Sequence, residues 1–213
     1  MGAINDAGTV TPTAINISGP VNDPLSALTP PSIPTCLANP NINGGTAQTL
    51  GPSTPGGTVC YNGLSINGTG TITLNPGLYI IKGAMAFNSS GTISGAGVTF
   101  YFPPGAGSFT DNSGGDTLNL SAPTSGSYNG ILFYQDPGDS QAMSLTTNGA
   151  WTISGIFYLP AAQLSISAGL SSSNSNVSLV VGSLALTGNA PFTFTPYVST
   201  TLAPPLPTPV LVE

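Results

Sequence analysis

Apolar and polar residues alternate in short runs along most of the chain, and no window carries the i, i+3, i+4, i+7 stripe of an amphipathic helix. The runs are bounded by Gly, Asn and Pro, which is typical of short strands joined by turns. They fall into three kinds that follow one another in a fixed order. The first kind is a triplet such as LSI, the second an alternating run such as TIT, and the third a longer apolar strand such as LYII.

Each kind of run returns several times. The triplets are LSI at 64–66, MAF at 85–87, SFT at 108–110, MSL at 143–145, LSI at 164–166 and LAL at 184–186. The alternating runs are TIT at 71–73, TIS at 92–94, LNL at 118–120, TIS at 152–154 and FTF at 192–194. The apolar strands are LYII at 78–81, VTFY at 98–101, ILFY at 131–134, IFYL at 156–159 and SLVV at 178–181. A unit of about 20 residues that repeats five or more times is typical of a β-solenoid.

We therefore predict an all-β protein with a parallel β-helix (β-solenoid) fold and right-handed crossovers. Each coil contributes three short strands with apolar side chains pointing inward, as for Ile93 between the outward Thr92 and Ser94. The third strand is apolar on both faces, so we expect another segment, such as the N-terminal one, to cover its outer face. Gly95 and Gly97 are expected to turn the chain.

Four Asn-Gly pairs are expected at corners that need positive φ, namely 62–63, 67–68, 129–130 and 148–149. The same dipeptide also marks antiparallel hairpins. An antiparallel β-sandwich of many short strands is therefore the structural alternative. We favour the solenoid because the three kinds of run recur in the same order.

The chain divides by composition into three parts. Residues 1–63 are rich in Pro and Asn and are predicted to form an N-terminal cap, because a solenoid end exposes unpaired strand edges. Residues 64–194 hold the repeats and are predicted to be the solenoid domain. Residues 195–213 are Pro-rich and are predicted to be an extended tail, whose apolar PVLV run could serve as a strand donated to a neighbour.

Charge is almost absent from the 213 residues, which contain one Lys or Arg, seven Asp or Glu and no His. A single cation excludes a basic nucleic-acid footprint and docking on anionic lipid. No run is long and apolar enough to be a membrane-spanning helix, so direct membrane insertion is not expected. The start, MGAINDAGTV, lacks the basic and apolar regions of a signal peptide.

Cys36 and Cys60 lie in Pro/Gly/Asn-rich segments, and the chain has no other Cys and no His to complete a zinc site. A disulfide between them would close a loop of about 25 residues and stabilise the fold by roughly 3 kcal/mol. Two free thiols are the alternative. The predicted disulfide, with the near absence of charge, indicates an exported protein, extracellular or on the cell envelope.

Residues 60–166 resemble the C-terminal region of TadG-like proteins of the Flp (tight-adherence) pilus system. The resemblance lies in CYNGLSINGTGTITLNPGLYIIKG, in GTISGAGVTFYFP, in APTSGSYNGILFYQDP and in the strand WTISGIFYLP. It implies a bacterial cell-surface or envelope protein tied to pilus assembly and adherence, without catalysis. The membrane helix and helical region with which such proteins begin are absent here, as is a later Cys. The chain is therefore expected to be an excised domain or a secreted relative.

The carboxylates outside the termini form two pairs in loops, Asp111 with Asp116 and Asp136 with Asp139. β-Helix lyases and hydrolases use Asp with Arg or Lys, and Lys82 is the only such base here. Solvated turn residues are the simpler interpretation of both pairs. Asp111 and Asp116, in TDNSGGD, are weak calcium candidates because they place oxygen ligands around glycines. No other cofactor is expected.

Surface chemistry offers three further candidates. Outward Thr and Ser could order water as ice-binding solenoids do, although no strict Thr-x-Thr recurs in each coil and Thr is a good neutral strand residue. Aromatic residues of the third strands are expected in the core, and any that point outward could form a glycan platform or a subunit interface. Sequons that could carry glycans in an exported protein occur at Asn16, Asn67, Asn88, Asn119 and Asn176.

These observations together predict a non-enzymatic structural or adhesive module associated with pili or surface filaments, with itself or other surface proteins as partners. Self-assembly into a fibre is one expectation. A carbohydrate-binding or weakly glycan-active β-helix is the alternative, and a water-ordering solenoid is the third.

Overall fold

The computed structural model describes residues 22–112, 115–146, 149–167 and 175–187, residue 197, and the backbone of residues 4–6. These residues contain sixteen strands and no helix. The strands are β1 (Ile4–Asp6), β2 (Asn41–Ile42), β3 (Gln48–Leu50), β4 (Gly57–Tyr61), β5 (Leu64–Ile66), β6 (Thr71–Leu74), β7 (Gly77–Ile81), β8 (Met85–Phe87), β9 (Thr92–Ala96), β10 (Val98–Phe102), β11 (Phe109–Asp111), β12 (Thr117–Ser121), β13 (Ile131–Gln135), β14 (Met143–Leu145), β15 (Ala150–Ser167) and β16 (Asn176–Thr187).

The strands form a parallel β-solenoid of about six turns, as predicted. The first face contains β2, β5, β8, β11, β14, the ends of β15 and β16, and β1. The second face contains β3, β6, β9, β12 and the start of β15. The third face contains β4, β7, β10, β13, the middle of β15 and the start of β16. All of this pairing is parallel, so the antiparallel alternative is wrong.

Side-chain alternation places the core inside the coils. In β6, Ile72 and Leu74 are buried while Thr71 and Thr73 are exposed, and β9 repeats the pattern with Ile93 inside and Ser94 half-buried outside. Because stacked strands pair residue for residue, Ile72 lies over Ile93. The inward side chains therefore form one continuous column. The three kinds of run in the sequence are thus the three faces of one coil.

Aromatic rings stack in the middle of this column. The Phe133 ring lies 5.4 Å from the ring of Phe100, 5.3 Å from that of Phe109 and 4.7 Å from that of Phe157, between ring centroids. Tyr79 extends the stack, 5.3 Å from Phe100. Aromatic pairs at these separations contribute about 0.5–1.5 kcal/mol beyond the area they bury.

Corners depend on glycine, but at only one of the three predicted Asn-Gly pairs that the structure fully describes. Every residue with positive φ in the described chain is a Gly. Of the Asn-Gly pairs that lie wholly within the described residues, Gly130 has φ +77°, whereas Gly63 and Gly68 have no positive φ, and the pair at 148–149 is only partly described. Gly97 turns the chain as expected, with φ +70°. Gly95 instead lies within β9, where a Cβ would stand 2.9 Å from Cβ of Leu74. It is a glycine because the coil has no room for a side chain there.

The coils begin earlier in the chain than the sequence indicated. β2, β3 and β4 pair with β5, β6 and β7, so residues 41–61 already form a coil inside the segment predicted as a cap. β1 pairs with β16 at the opposite end of the solenoid. The predicted end of the solenoid at residue 194 lies outside the described residues, as does the tail apart from Tyr197.

Truncation of the central ring tests the importance of the aromatic stack. Phe133→Ala is expected to lower the free energy of unfolding by about 3–5 kcal/mol, since it removes a buried ring from three ring contacts. Thr73→Ala, on the exposed side of β6, should change it by less than about 0.5 kcal/mol. Urea unfolding measures both. If Phe133→Ala does not fold, Phe133→Leu should still cost more than Thr73→Ala; equal values would contradict the stack's role.

Candidate functional site

The third face of the solenoid is covered by residues 22–37, called here the strap. Most outward side chains of its strands are apolar or aromatic, and these form a cluster with Leu25, Leu28 and Cys36 of the strap. Tyr101 is 2 %, Tyr134 1 % and Tyr158 1 % exposed. The expectation that the N-terminal segment covers this face is thus confirmed.

Tyrosine hydroxyls fasten the strap. Tyr158 donates to Oδ2 of Asp23 at 2.6 Å, and Tyr134 donates to the carbonyl of Leu28 at 3.3 Å. Tyr128 donates to the carbonyl of Thr29 at 3.0 Å. The tyrosines that donate these bonds belong to later coils, and they bind residues 23–29 of the strap. The other end of the strap, at Cys36, reaches the first coil. The strap therefore runs along the solenoid against the direction of coil stacking.

The Cys36–Cys60 disulfide joins the C-terminal end of the strap to the first coil, so the predicted bridge is confirmed. Cys60 belongs to β4 in the first coil and is 1 % exposed. Leu37, which directly follows Cys36 in the chain, donates its backbone N–H to the carbonyl of Cys60 at 2.8 Å. A covalent bond and a backbone bond thus hold the strap where it enters the coils.

Burial raises the pKa of the tyrosines on and beneath this face. The pKa of Tyr134 rises to about 12, first because its hydroxyl is desolvated and then because of the charge of Asp136. The pKa values of Tyr101 and Tyr158 also rise, through desolvation and through the hydrogen bonds that they donate to Asp136 and Asp23. Desolvation raises the pKa of Tyr79 inside the core. These phenols act as neutral hydrogen-bond donors.

Outward aromatic residues do not form a glycan platform. Phe100, Phe133 and Phe157 point into the core, and Tyr101, Tyr134 and Tyr158 lie under the strap. A sugar-binding surface needs rings that solvent can reach, and these rings are buried. The sequence-based suggestion of a platform is wrong for these residues.

The two carboxylates proposed for calcium are buried rather than solvated. Asp111 and Asp116 are both 0 % exposed. Asp111 occupies an inward position of β11, in register with Phe87 and Leu145, where other coils place apolar residues. The interpretation of these two as solvated turn residues is therefore wrong. No group of three or more His, Cys, Asp or Glu that could hold a metal ion occurs within the described ranges.

The second pair of carboxylates is engaged in the loop that follows β13. Asp136 accepts from the Tyr101 hydroxyl at 2.9 Å and from the backbone N–H of Gly138 at 2.9 Å. Asp139 accepts from Nε2 of Gln135 at 3.0 Å and is 3 % exposed. Both carboxylates hold loop structure, and the interpretation as solvated turn residues is wrong for Asp139, which is buried.

Two of the five sequons take part in an asparagine ladder that the sequence analysis missed. Nδ2 of Asn67 donates to Oδ1 of Asn41 at 2.9 Å, and Nδ2 of Asn88 donates to Oδ1 of Asn67 at 3.0 Å. Each of Asn67 and Asn88 directly follows a triplet strand, and this repeated position was the available signal. A glycan on either nitrogen would compete with the ladder.

The other sequons differ in setting. Asn119 is exposed on the second face, and Asn176 is exposed at the start of β16. Asn16 lies outside the described residues. Asn119 and Asn176 are therefore the described sequons that lie exposed on a coil outside the ladder.

The second face presents neutral, hydroxyl-rich columns. One column runs from Thr49 through Thr73, Ser94 and Asn119 to Thr152. Its neighbour contains Thr71, Thr92, Thr117 and Ala150. Among the described residues of this face, a Thr-x-Thr pair occurs only in the coil of β6, so these columns lack the strict array expected of a water-ordering face.

Comparison with protein-family models, with curated proteins and with solved structures gives no match. Within the described parts of the chain, no helix has the length and apolar character needed to cross a membrane.

Alkaline titration tests the buried tyrosines. An unfolded Tyr ionises near pH 10, whereas the folded chain keeps Tyr79, Tyr101, Tyr134 and Tyr158 protonated to higher pH. The unfolded state therefore loses its protons first, so the stability is full below pH 10 and falls as the pH rises through about 10 to 12. Phenolate absorbance should lag behind that of the urea-unfolded chain. If all seven tyrosines titrate near pH 10 while the chain stays folded, the assignment is wrong.

The strap contact has a matched pair of variants. Tyr158→Phe removes the bond to Asp23 in the strap, while Tyr101→Phe removes a bond to Asp136 outside it. Because a hydrogen bond to a charged group contributes about 1.5–3 kcal/mol, Tyr158→Phe should speed amide hydrogen exchange in residues 23–29 by more than about tenfold. Tyr101→Phe should leave that exchange unchanged. Equal exchange in both variants would show that the bond does not hold the strap.

Proposed function

We propose that this chain is a non-enzymatic structural or adhesive β-solenoid module of the bacterial cell surface or envelope, associated with pili or surface filaments. The observation that carries the proposal is the disulfide-pinned strap on a fully packed solenoid. A disulfide of this kind persists in oxidising compartments outside the cytoplasm. The module then serves as a rigid, almost uncharged element.

Use of the polar side chains inside the structure supports a structural role. Asp136 and Asp139 hold a loop, Asp23 of the strap accepts a hydrogen bond from Tyr158, and the Asn67 amide bonds along the coils. General acid–base catalysis needs carboxylates within reach of a substrate. The described carboxylates have structural roles or are buried.

The resemblance to TadG-like proteins supports the same proposal. The segment APTSGSYNGILFYQDP (122–137) forms a corner, strand β13 and the first part of the following loop. Its Tyr128 and Tyr134 both donate hydrogen bonds to the strap. The residues that carry the resemblance thus build the covered face, so a shared pattern there would indicate a shared architecture.

Carbohydrate binding is the weaker proposal. The aromatic residues that would bind a sugar are covered by the strap or lie in the core, and the loop carboxylates accept hydrogen bonds from Tyr101 and Gln135. No described feature favours it over the structural role.

Location and thiol state test the proposal in cells that make the full chain. Immunogold labelling of intact cells should decorate the cell exterior, and shearing should release the protein together with surface filaments. Alkylation without reductant should leave both Cys36 and Cys60 unlabelled, as in a Cys36→Ala/Cys60→Ala control. Reduction before alkylation should label the native chain only. Protein confined to the cytoplasm with alkylated thiols would contradict the proposal.

A further inference from the structure

The two ends of the solenoid are finished differently. At the last coil, β1 pairs with the end of β16 and so covers residues 184–186. At the first coil, β2, β3 and β4 pair with β5, β6 and β7 on one side. On the other side, Leu37 bridges to Tyr61, and no other described residue pairs with these strands. The first coil is therefore the open end of the described fold.

Backbone hydrogen bonds show which groups of β3 point out of the open end. The carbonyl of Leu50 accepts from the N–H of Asn75 at 2.8 Å, so Leu50 faces the second coil. Consecutive residues of a parallel strand direct their backbone groups to opposite neighbours. Thr49 therefore directs its N–H and C=O away from the solenoid. These are the groups that recruit another strand.

Strand β4 also directs part of its backbone out of the open end. The carbonyl of Tyr61 accepts from the N–H of Lys82 at 3.0 Å, so the backbone groups of Tyr61 point toward the second coil. Alternation then points the backbone groups of Thr58 and Cys60 outward. Leu37 satisfies the carbonyl of Cys60, and Thr58 lies beyond that contact.

Apolar side chains accompany this backbone edge. Among described residues, the large hydrophobic side chains that are exposed are Ile33, at 46 %, and Leu37, at 56 %. Leu37 lies on the open edge itself, and Ile33 is three residues from Cys36, which the disulfide holds against β4. An unpaired strand edge beside exposed apolar residues favours association.

Nothing in the first coil repels a copy of itself. No charged residue occurs from Pro24 to Ile81, and this range includes β2, β3 and β4. Natural edge strands are often protected by Lys or by inward-pointing charges, and this edge has neither. A charged partner would find no complementary group here, whereas a second copy brings the same neutral edge.

We propose that the first coil is the docking surface for a second copy of this chain, in a two-fold dimer whose two open ends meet. A two-fold axis reverses strand direction, so the edges pair antiparallel, which is a stable arrangement for β-strands. Growth past the dimer is not expected because β1 covers part of the opposite end. The proposal does not depend on the function proposed above.

Sedimentation velocity of the full chain tests this proposal. From about 1 to about 100 μM, the native chain should shift from monomer to dimer by mass action. Thr49→Lys places a charge on the open edge and should weaken the dimer at least about tenfold. Asn119→Lys is the matched control, since Asn119 lies in the same outward column three coils away, and it should leave the dimer unchanged.

A second variant tests the backbone edge directly. Thr58→Pro removes an outward N–H, which strand edges tolerate, and should weaken the dimer while thermal unfolding of the monomer shows the fold intact. If Thr58→Pro unfolds, Leu37→Lys replaces it with the same expectation. A native chain that stays monomeric, equal effects of Thr49→Lys and Asn119→Lys, or growth into filaments would each overturn the proposal.

Discussion

In-register parallel pairing of successive coils is the constraint on which the rest of this structure depends. Pairing residue for residue stacks Ile72 over Ile93 and Phe100 over Phe133, so every inward position must suit the one above and below it. The same rule explains the scarcity of charge, because a charge repeated at one position would lie above a like charge at the spacing of neighbouring strands. Composition is thus a consequence of the register.

The strap answers a second demand of the same architecture. A strand that is apolar on both sides buries its inner face in the core but leaves an apolar outer face that must also be covered. Leu25 and Leu28 cover that face, and the hydroxyls of Tyr134 and Tyr158 find acceptors in the strap. Each buried phenol therefore keeps a partner, and the disulfide fixes one end of the cover. The covered face is structural, which leaves the other two faces and the ends for contact with partners.

Much of the fold could be predicted because periodicity survives insertions. The triplet, alternating run and apolar strand keep their order even where long loops intervene, and each maps to one face. The first coil was missed because its strands are short and lie among Pro and Gly, as in QTL at 48–50. The pairing of β1 with β16 joins residues far apart in sequence, so no local pattern indicates it.

The site was less predictable than the fold because burial of a polar residue leaves no local signature. Asp111 stands in a Gly- and Asn-rich stretch that is typical of turns, yet it takes an inward position that Phe87 and Leu145 occupy in the adjacent coils. The exposure of an aromatic ring likewise depends on what covers it. Tyr101 points outward, as a glycan platform requires, but the strap removes it from solvent.

Nuclear Overhauser contacts between register partners test the parallel solenoid most directly. We expect backbone contacts along the column Thr73, Ser94 and Asn119, whose strands lie about 4.8 Å apart, together with contacts from Asp23 to Tyr158. Contacts that instead join neighbouring strands of one coil, as in antiparallel hairpins, would contradict it.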